Sequence, residues 1–189
     1  MDEREYILAI IAGGRNVGKS TFTFQQTELI GRRTIVVNKG ELSPRFDNWQ
    51  KVTVEQLKTF KGDNVVVQID IDQVNEVCET IMHYKKGSSV VFEDAKRYIP
   101  QSIGKGGLND LISDLRKCSC DVFFQYHCLK HVPPFIADMY NMLVLFKTTD
   151  YFTKSDLKKF ANTETIIKCG ERIKRHKDPH YCETIFVHE

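Results

Sequence analysis

Several features are missing from this sequence, and each absence narrows the reading. No apolar stretch approaches the roughly 18 to 20 residues needed to cross a bilayer. The opening Met-Asp-Glu-Arg-Glu is charged and runs straight into a strand-like segment, so no signal peptide is expected. Net charge is close to nil: 27 basic residues against 25 acidic ones leave +2, so bulk charge implies no polyanionic partner. Any contact with nucleic acid has to come from a local patch. Regular cysteine spacing is absent too; Cys78, Cys118, Cys120, Cys128, Cys169 and Cys182 are scattered, and free thiols are expected. There is no internal repeat and no low-complexity tract. What remains is a cytoplasmic expectation for a chain of 189 residues, 41% hydrophobic and 28% charged, enough for one full core plus a short appendage.

Strand-like and helix-like segments alternate, the pattern of an α/β fold with a mostly parallel sheet. The apolar run Tyr6–Ala12 reads as a strand buried on both faces. A helix is expected over Lys19–Ile30, ended by Gly31. Further strands are expected at Thr34–Val37, Val65–Ile69, Ser89–Phe92, Val122–Gln125 and Met142–Phe146. The segment Lys39–Lys51 reads as a loop. Helices are expected over Val54–Phe60, capped by Thr53, over Ile71–Tyr84, over Leu108–Lys117 after a glycine-rich loop, and from Pro133-Pro134 to Tyr140. Residues 1–150 make the core in this reading. Residues 151–189 form an appendage, with a short helix from Ser155 to Ala161 and two strands, Thr165–Lys168 and Glu183–Val187, joined by a basic turn.

One motif carries chemistry by itself. Gly13-Gly14-Arg15-Asn16-Val17-Gly18-Lys19-Ser20 matches G-x-x-x-x-G-K-[ST] in full, with Thr21 following, between a buried strand and a helix. Backbone N–H groups must turn inward to cradle phosphates, so glycines stand where a Cβ would block the turn. The helix N-terminus adds unpaired donors and partial positive charge. Lys19 then reaches the β- and γ-phosphates, and the Ser20 hydroxyl coordinates Mg²⁺. ATP with Mg²⁺ is the expected ligand pair.

Such a loop needs a carboxylate from a neighbouring strand to hold the metal shell, and often a second to activate water. Val90-Val91-Phe92-Glu93-Asp94 is the apolar strand that ends in two acids. Glu93 is assigned to the metal side and Asp94 to the water side, an inversion of the usual Asp-then-Glu order. Asp70 and Asp72, after Val65–Ile69, compete for the metal role, and the bland alternative is a solvated acidic loop. Gln125, a polar residue closing an apolar strand, is a candidate to sense the γ-phosphate or orient water; the alternative is a surface glutamine.

The phosphate loop, Val90–Asp94 and the block Leu115-Arg116-Lys117…Phe124-Gln125 together resemble the FtsK–HerA group of DNA-pumping ATPases, and within it the short genome-packaging ATPases of icosahedral viruses. The resemblance spans residues 5–148 in order and spacing. It implies a three-layer P-loop fold with the Gln125 strand between the Gly13 and Glu93 strands. It further implies a homo-oligomeric ring acting on DNA, a capsid or portal-vertex partner, residence in host cytoplasm or virion, and an arginine acting in trans. Arg116 is the first candidate for that arginine and Arg97 the second. Lys105, in the loop Gln101–Leu108, and the basic cluster Lys168–Lys177 are the candidate DNA contacts.

Other classes fit less well. A GTPase would need Asp-x-x-Gly where Glu93-Asp94-Ala95-Lys96 stands, and Asn-Lys-x-Asp late in the chain, whereas Asn38-Lys39-Gly40-Glu41 comes early. A small-molecule kinase would need an arginine-rich lid, which Pro100–Leu108 is not. A non-hydrolysing nucleotide-binding module is allowed by the inverted acids. Cys169, His176, His180 and Cys182 have metal-ligand chemistry, as do Cys118, Cys120, His127, Cys128 and His131, but neither set is expected to hold zinc.

Overall fold

A computed structural model of the chain describes residues 6–102, 104–149 and 153–187. Eight strands build one sheet: β1 (Leu8–Ala12), β2 (Thr34–Asn38), β3 (Gln50–Val52), β4 (Asn64–Gln68), β5 (Ser89–Phe92), β6 (Asp121–Tyr126), β7 (Met142–Phe146) and β8 (Cys182–Phe186). Their spatial order is β3-β4-β2-β5-β6-β1-β7-β8. All neighbours are parallel except β7 with β8. The strand bearing Gln125 lies between the phosphate-loop strand and the Glu93 strand, as expected.

The central strands are buried along their whole length and largely apolar because both sheet faces are covered. Along β1, Leu8, Ile10 and Ala12 join one core, while Ala9 and Ile11 join the other. The smaller core lies under α1 (Lys19–Ile30) and the segment carrying Phe46 and Trp49. The larger one packs α2 (Val54–Thr59), α3 (Val74–Tyr84), α4 (Gly107–Ser113), α6 (Pro134–Met139) and α7 (Thr163–Arg175), with α5 (Leu115–Cys118) alongside. The result is the three-layer sandwich expected from the alternating pattern.

α1 runs over the expected residues, and Gly31 closes it in the left-handed region with its N–H on Thr27 O at 3.1 Å. Thr53 caps α2 through a reciprocal box with Gln56. Four expectations need correction. Gln50–Val52 lies partly in the expected loop but pairs with β4 as a three-residue edge strand. Leu108–Lys117 is not one helix; it breaks at Asp114, where φ −137° and ψ 46° leave the helical region. Thr165–Lys168 is not a strand but part of α7, so the basic cluster sits on a helix rather than in a turn. Its β-branched Thr-Ile-Ile run obscured a longer helical period, Ile166–Cys169–Ile173, whose members are all buried. Finally, residues 154–162 form consecutive turns rather than a helix. Thr153, not Ser155, anchors them, by exchanging bonds with Asp156. The expected boundary between residues 150 and 151 falls outside the described residues.

β8 does add to the sheet edge, antiparallel to β7, with Phe146 opposite Cys182. Arg172 on α7 grips Glu183 on β8 through two nitrogens, tying helix to strand.

Candidate active site

The ends of β5, β6 and β1 stand side by side, which brings residues 93, 125 and 13–20 to one cleft. Two glycines of the loop are required by geometry. A Cβ on Gly13 would lie 2.4 Å from Cβ of Phe146, so the loop can pack onto β7 only without one. Gly18 begins α1 at φ 101°, a conformation that side chains with a Cβ rarely adopt. Asn16 also has positive φ, at 57°. Val17 packs beneath the loop in the smaller core, while Arg15 and Asn16 line a cleft of about 370 Å³ with Lys19, Ser20, Glu93, Asp94, Arg97 and His127 among its other walls.

Within the cleft, Ser20 is the hub. Its hydroxyl lies 3.1 Å from Glu93 Oε1 and 3.3 Å from Gln125 Oε1. The other Glu93 oxygen accepts from Asn38 Nδ2 and from the Ser43 backbone N–H, each at 3.2 Å. Gln125 donates through Nε2 to Thr23 Oγ1 at 2.9 Å, so its oxygen is turned to Ser20. Burial holds the Glu93 carboxyl above its ordinary range, and its three donors offset this only in part. The donor set is hard oxygen throughout, a hydroxyl and a carboxylate with an amide oxygen behind them. That set fits Mg²⁺, which takes one or two protein oxygens and completes its shell with water and phosphate.

Asp94 faces the cleft differently. Its φ of 47° is left-handed, a region Asp tolerates better than most residues. The turn separates the two acids: Glu93 goes to Ser20, and Asp94 goes to Arg97 Nε on one oxygen and His127 Nε2 on the other, the latter at 3.3 Å. Lys19 Nζ donates to the carbonyls of Gly13 (2.8 Å) and Gly14 (2.5 Å) and lies 3.5 Å from His127 Nδ1. Burial pushes the ammonium down to about 8 from 10.5, against the attraction of Asp94 and Glu93. Thr21 lines an adjoining pocket with Asn16 and Ser20 and accepts from Arg45 Nε at 3.3 Å.

Not every expected residue is gathered here. Arg116 lies on α5 at the opposite end of the sheet, lining a separate cleft with Tyr6, Leu8 and Asp138. Arg97 is the arginine beside the acids. Asp70 pairs with Lys39 beyond the end of β4, two strands from β5, and Asp72 stays on the turn after it. Among the described residues, no group of three or more His, Cys, Asp or Glu side chains is placed to share a metal ion.

Four contributors went unread as site residues: Asn38, Ser43, Tyr98 and His127. Asn38 closes the apolar strand β2 as Gln125 closes β6, so the same reasoning would have found it. Tyr98 left no signal. Its buried hydroxyl reaches Val37 O at 2.8 Å and Glu93 O at 3.0 Å, clamping the acidic turn to β2. Tyr98→Phe is expected to lower stability by about 1–2 kcal/mol in urea unfolding, with the denaturant slope unchanged. An unchanged midpoint would remove Tyr98 from this role.

No family model and no curated protein sequence matches the chain. Solved structures do. The genome-packaging NTPase of Sulfolobus turreted icosahedral virus 2, solved with AMPPCP, superimposes with a TM-score of 0.76 at 11% identity, covering 96% of this chain and 93% of that one. The DNA-packaging ATPase of Sulfolobus turreted icosahedral virus gives 0.70 at 15% identity, with 95% and 91% covered. The N-terminal domain of zonular occludens toxin from Neisseria meningitidis gives 0.51 at 12% identity, with 75% and 76% covered. At these identities the likeness establishes the fold, a P-loop NTPase sandwich.

Proposed function

We propose that this protein is an Mg²⁺-dependent ATPase whose turnover drives DNA movement, in the manner of a viral genome-packaging motor. The observation that carries the ATPase reading is the convergence of Ser20, Glu93 and Gln125 within hydrogen-bond range, beside Lys19 and Asp94. Bound Mg²⁺ would draw charge from the terminal phosphates, and Ser20 and Glu93 are the residues that would hold it. The loop amides of residues 13–20 orient the phosphates, Lys19 meets the γ-phosphate, and Gln125 reports its presence to Ser20 and Thr23. Asp94 stands on the side where water attacks.

The DNA reading rests on the fold neighbours, two of which are viral genome-packaging NTPases, and on local basic surface. Lys168, Arg175 and Lys177 lie on or just after the exposed face of α7, while Arg172 is engaged by Glu183. Lys105 lies in the loop before α4. Residues 1–150 serve as the motor core, and residues 151–189 as its appendage. In a ring, Arg116 is the arginine suited to act in trans, because it lines a cleft separate from that of its own phosphate loop. Arg116→Ala should therefore slow turnover in assemblies while leaving ATP binding by the isolated chain unchanged; weakened binding in the isolated chain would remove the trans role.

The test is ATP hydrolysis with and without double-stranded DNA, beside Lys19→Ala. Turnover that rises with DNA and vanishes in the variant supports a motor. DNA-independent turnover would keep the ATPase and sink the DNA reading.

A further inference from the structure

We infer that His127 is the proton acceptor for the attacking water, with Asp94 acting through it as a positioning residue. This deepens the ATPase reading and rests on it. The partners fix the tautomer. A lysine ammonium can only donate and an ionised carboxylate can only accept, so the Nε2 proton points to Asp94 Oδ1 and the Nδ1 lone pair faces Lys19 Nζ. His127 is half-buried and lines the same cleft as Lys19 and Ser20.

The terminal phosphate must come within hydrogen-bond range of Lys19 Nζ, and Nδ1 lies 3.5 Å from that nitrogen. As the phosphates draw Lys19 towards them, Nδ1 is left facing the water that attacks the γ-phosphorus. Water oxygen bonds to phosphorus, the bond from phosphorus to the β–γ bridging oxygen breaks, and ADP leaves with that electron pair. The water proton passes to Nδ1 and then to solvent through the open cleft. Asp94 steadies the transient imidazolium, an arrangement of carboxylate, imidazole and nucleophile known from other hydrolases.

Competing groups are engaged elsewhere. Both oxygens of Asp94 already accept, from Arg97 and from His127, and Gln125 is buried and bonded to Ser20 and Thr23. The inverted acid order also acquires a reason. An aspartate in the water-side position is one methylene shorter than a glutamate, and the imidazole restores the reach. The charged groups facing the ring are Lys19, Asp94, Arg15 and Arg97; burial, then the Lys19 charge, keeps the imidazole below its ordinary value and so neutral at pH 7.

The experiment compares the full chain with His127→Gln and His127→Ala, reading kcat, the Kd of a fluorescent ATP analogue, the pH profile, and rescue by free imidazole. The expected result is a kcat loss of about 100-fold with Kd within about twofold, a flattened acid limb, and partial rescue of His127→Ala by imidazole. Turnover within about threefold of the unaltered protein, or a Kd that rises in step with the loss of kcat, would overturn the inference. Absence of hydrolysis in the unaltered chain would instead overturn the ATPase reading beneath it.

Discussion

Lys19→Met is expected to cut hydrolysis by orders of magnitude and, at the same time, to raise the melting temperature of the nucleotide-free chain. The first effect would follow from losing the cation proposed to meet the developing charge on the γ-phosphate, about 10²–10³-fold in kcat. The second follows from burial. A fall from 10.5 to about 8 corresponds to about 3 kcal/mol of destabilisation of the folded state by the charged ammonium. Below pH 8 both folded and unfolded chains carry the proton, so that cost is fully present. As pH rises from 8 to 10.5 the folded chain releases the proton while the unfolded chain keeps it, and stability climbs. Methionine removes the charge but keeps most of the volume. Losing the bonds to Gly13 O and Gly14 O subtracts about 1 kcal/mol each, so the net gain at pH 7 is about 1–2 kcal/mol, or several degrees. The gap should shrink towards pH 10. A variant that melts no higher at pH 7 would refute the burial argument, whatever happens to activity.

Glu93→Gln is the second large effect: hydrolysis at saturating ATP falls about 10²–10³-fold while the nucleotide still binds. The substitution isolates charge from shape. A glutamine can keep its oxygen on the Asn38 amide and the Ser43 N–H while its NH₂ group donates to the Ser20 oxygen. The fold is preserved, but the carboxylate that would neutralise Mg²⁺ is gone, so the Mg²⁺ midpoint should move to higher concentration. Glu93→Ala would be a poorer probe, since it removes the acceptor of the Asn38 Nδ2 and Ser43 N–H bonds and so costs stability as well as charge. A Glu93→Gln protein that turns over at nearly the unaltered rate would shift the metal role away from this residue.

The core of the fold was legible because its signals are local. A buried strand, a phosphate loop and a helix stopped by Gly31 all fall within residues 8–31, and each has its own chemistry. The strand order came through resemblance rather than pattern, since no local rule places β6 between β5 and β1. What was missed is long-range. Gln50–Val52 is a strand only because β4 offers it a ladder. The stretch from Ile166 to Ile173 reads as helix only when the helical period is followed past Lys168. His127 was legible as a ligand type, but its role depends on Asp94 and Lys19, 33 and 108 positions away in the sequence.

The two borders of the sheet carry a consequence for self-association. On one side β3 is three residues long and exposes Gln50 and Lys51; on the other, β8 runs antiparallel and is strapped to α7 through Glu183 and Arg172. Short, charged and strapped borders resist accretion of strands from another molecule. Copies of this chain that meet should therefore join through helices and loops and not by extending one sheet into the next.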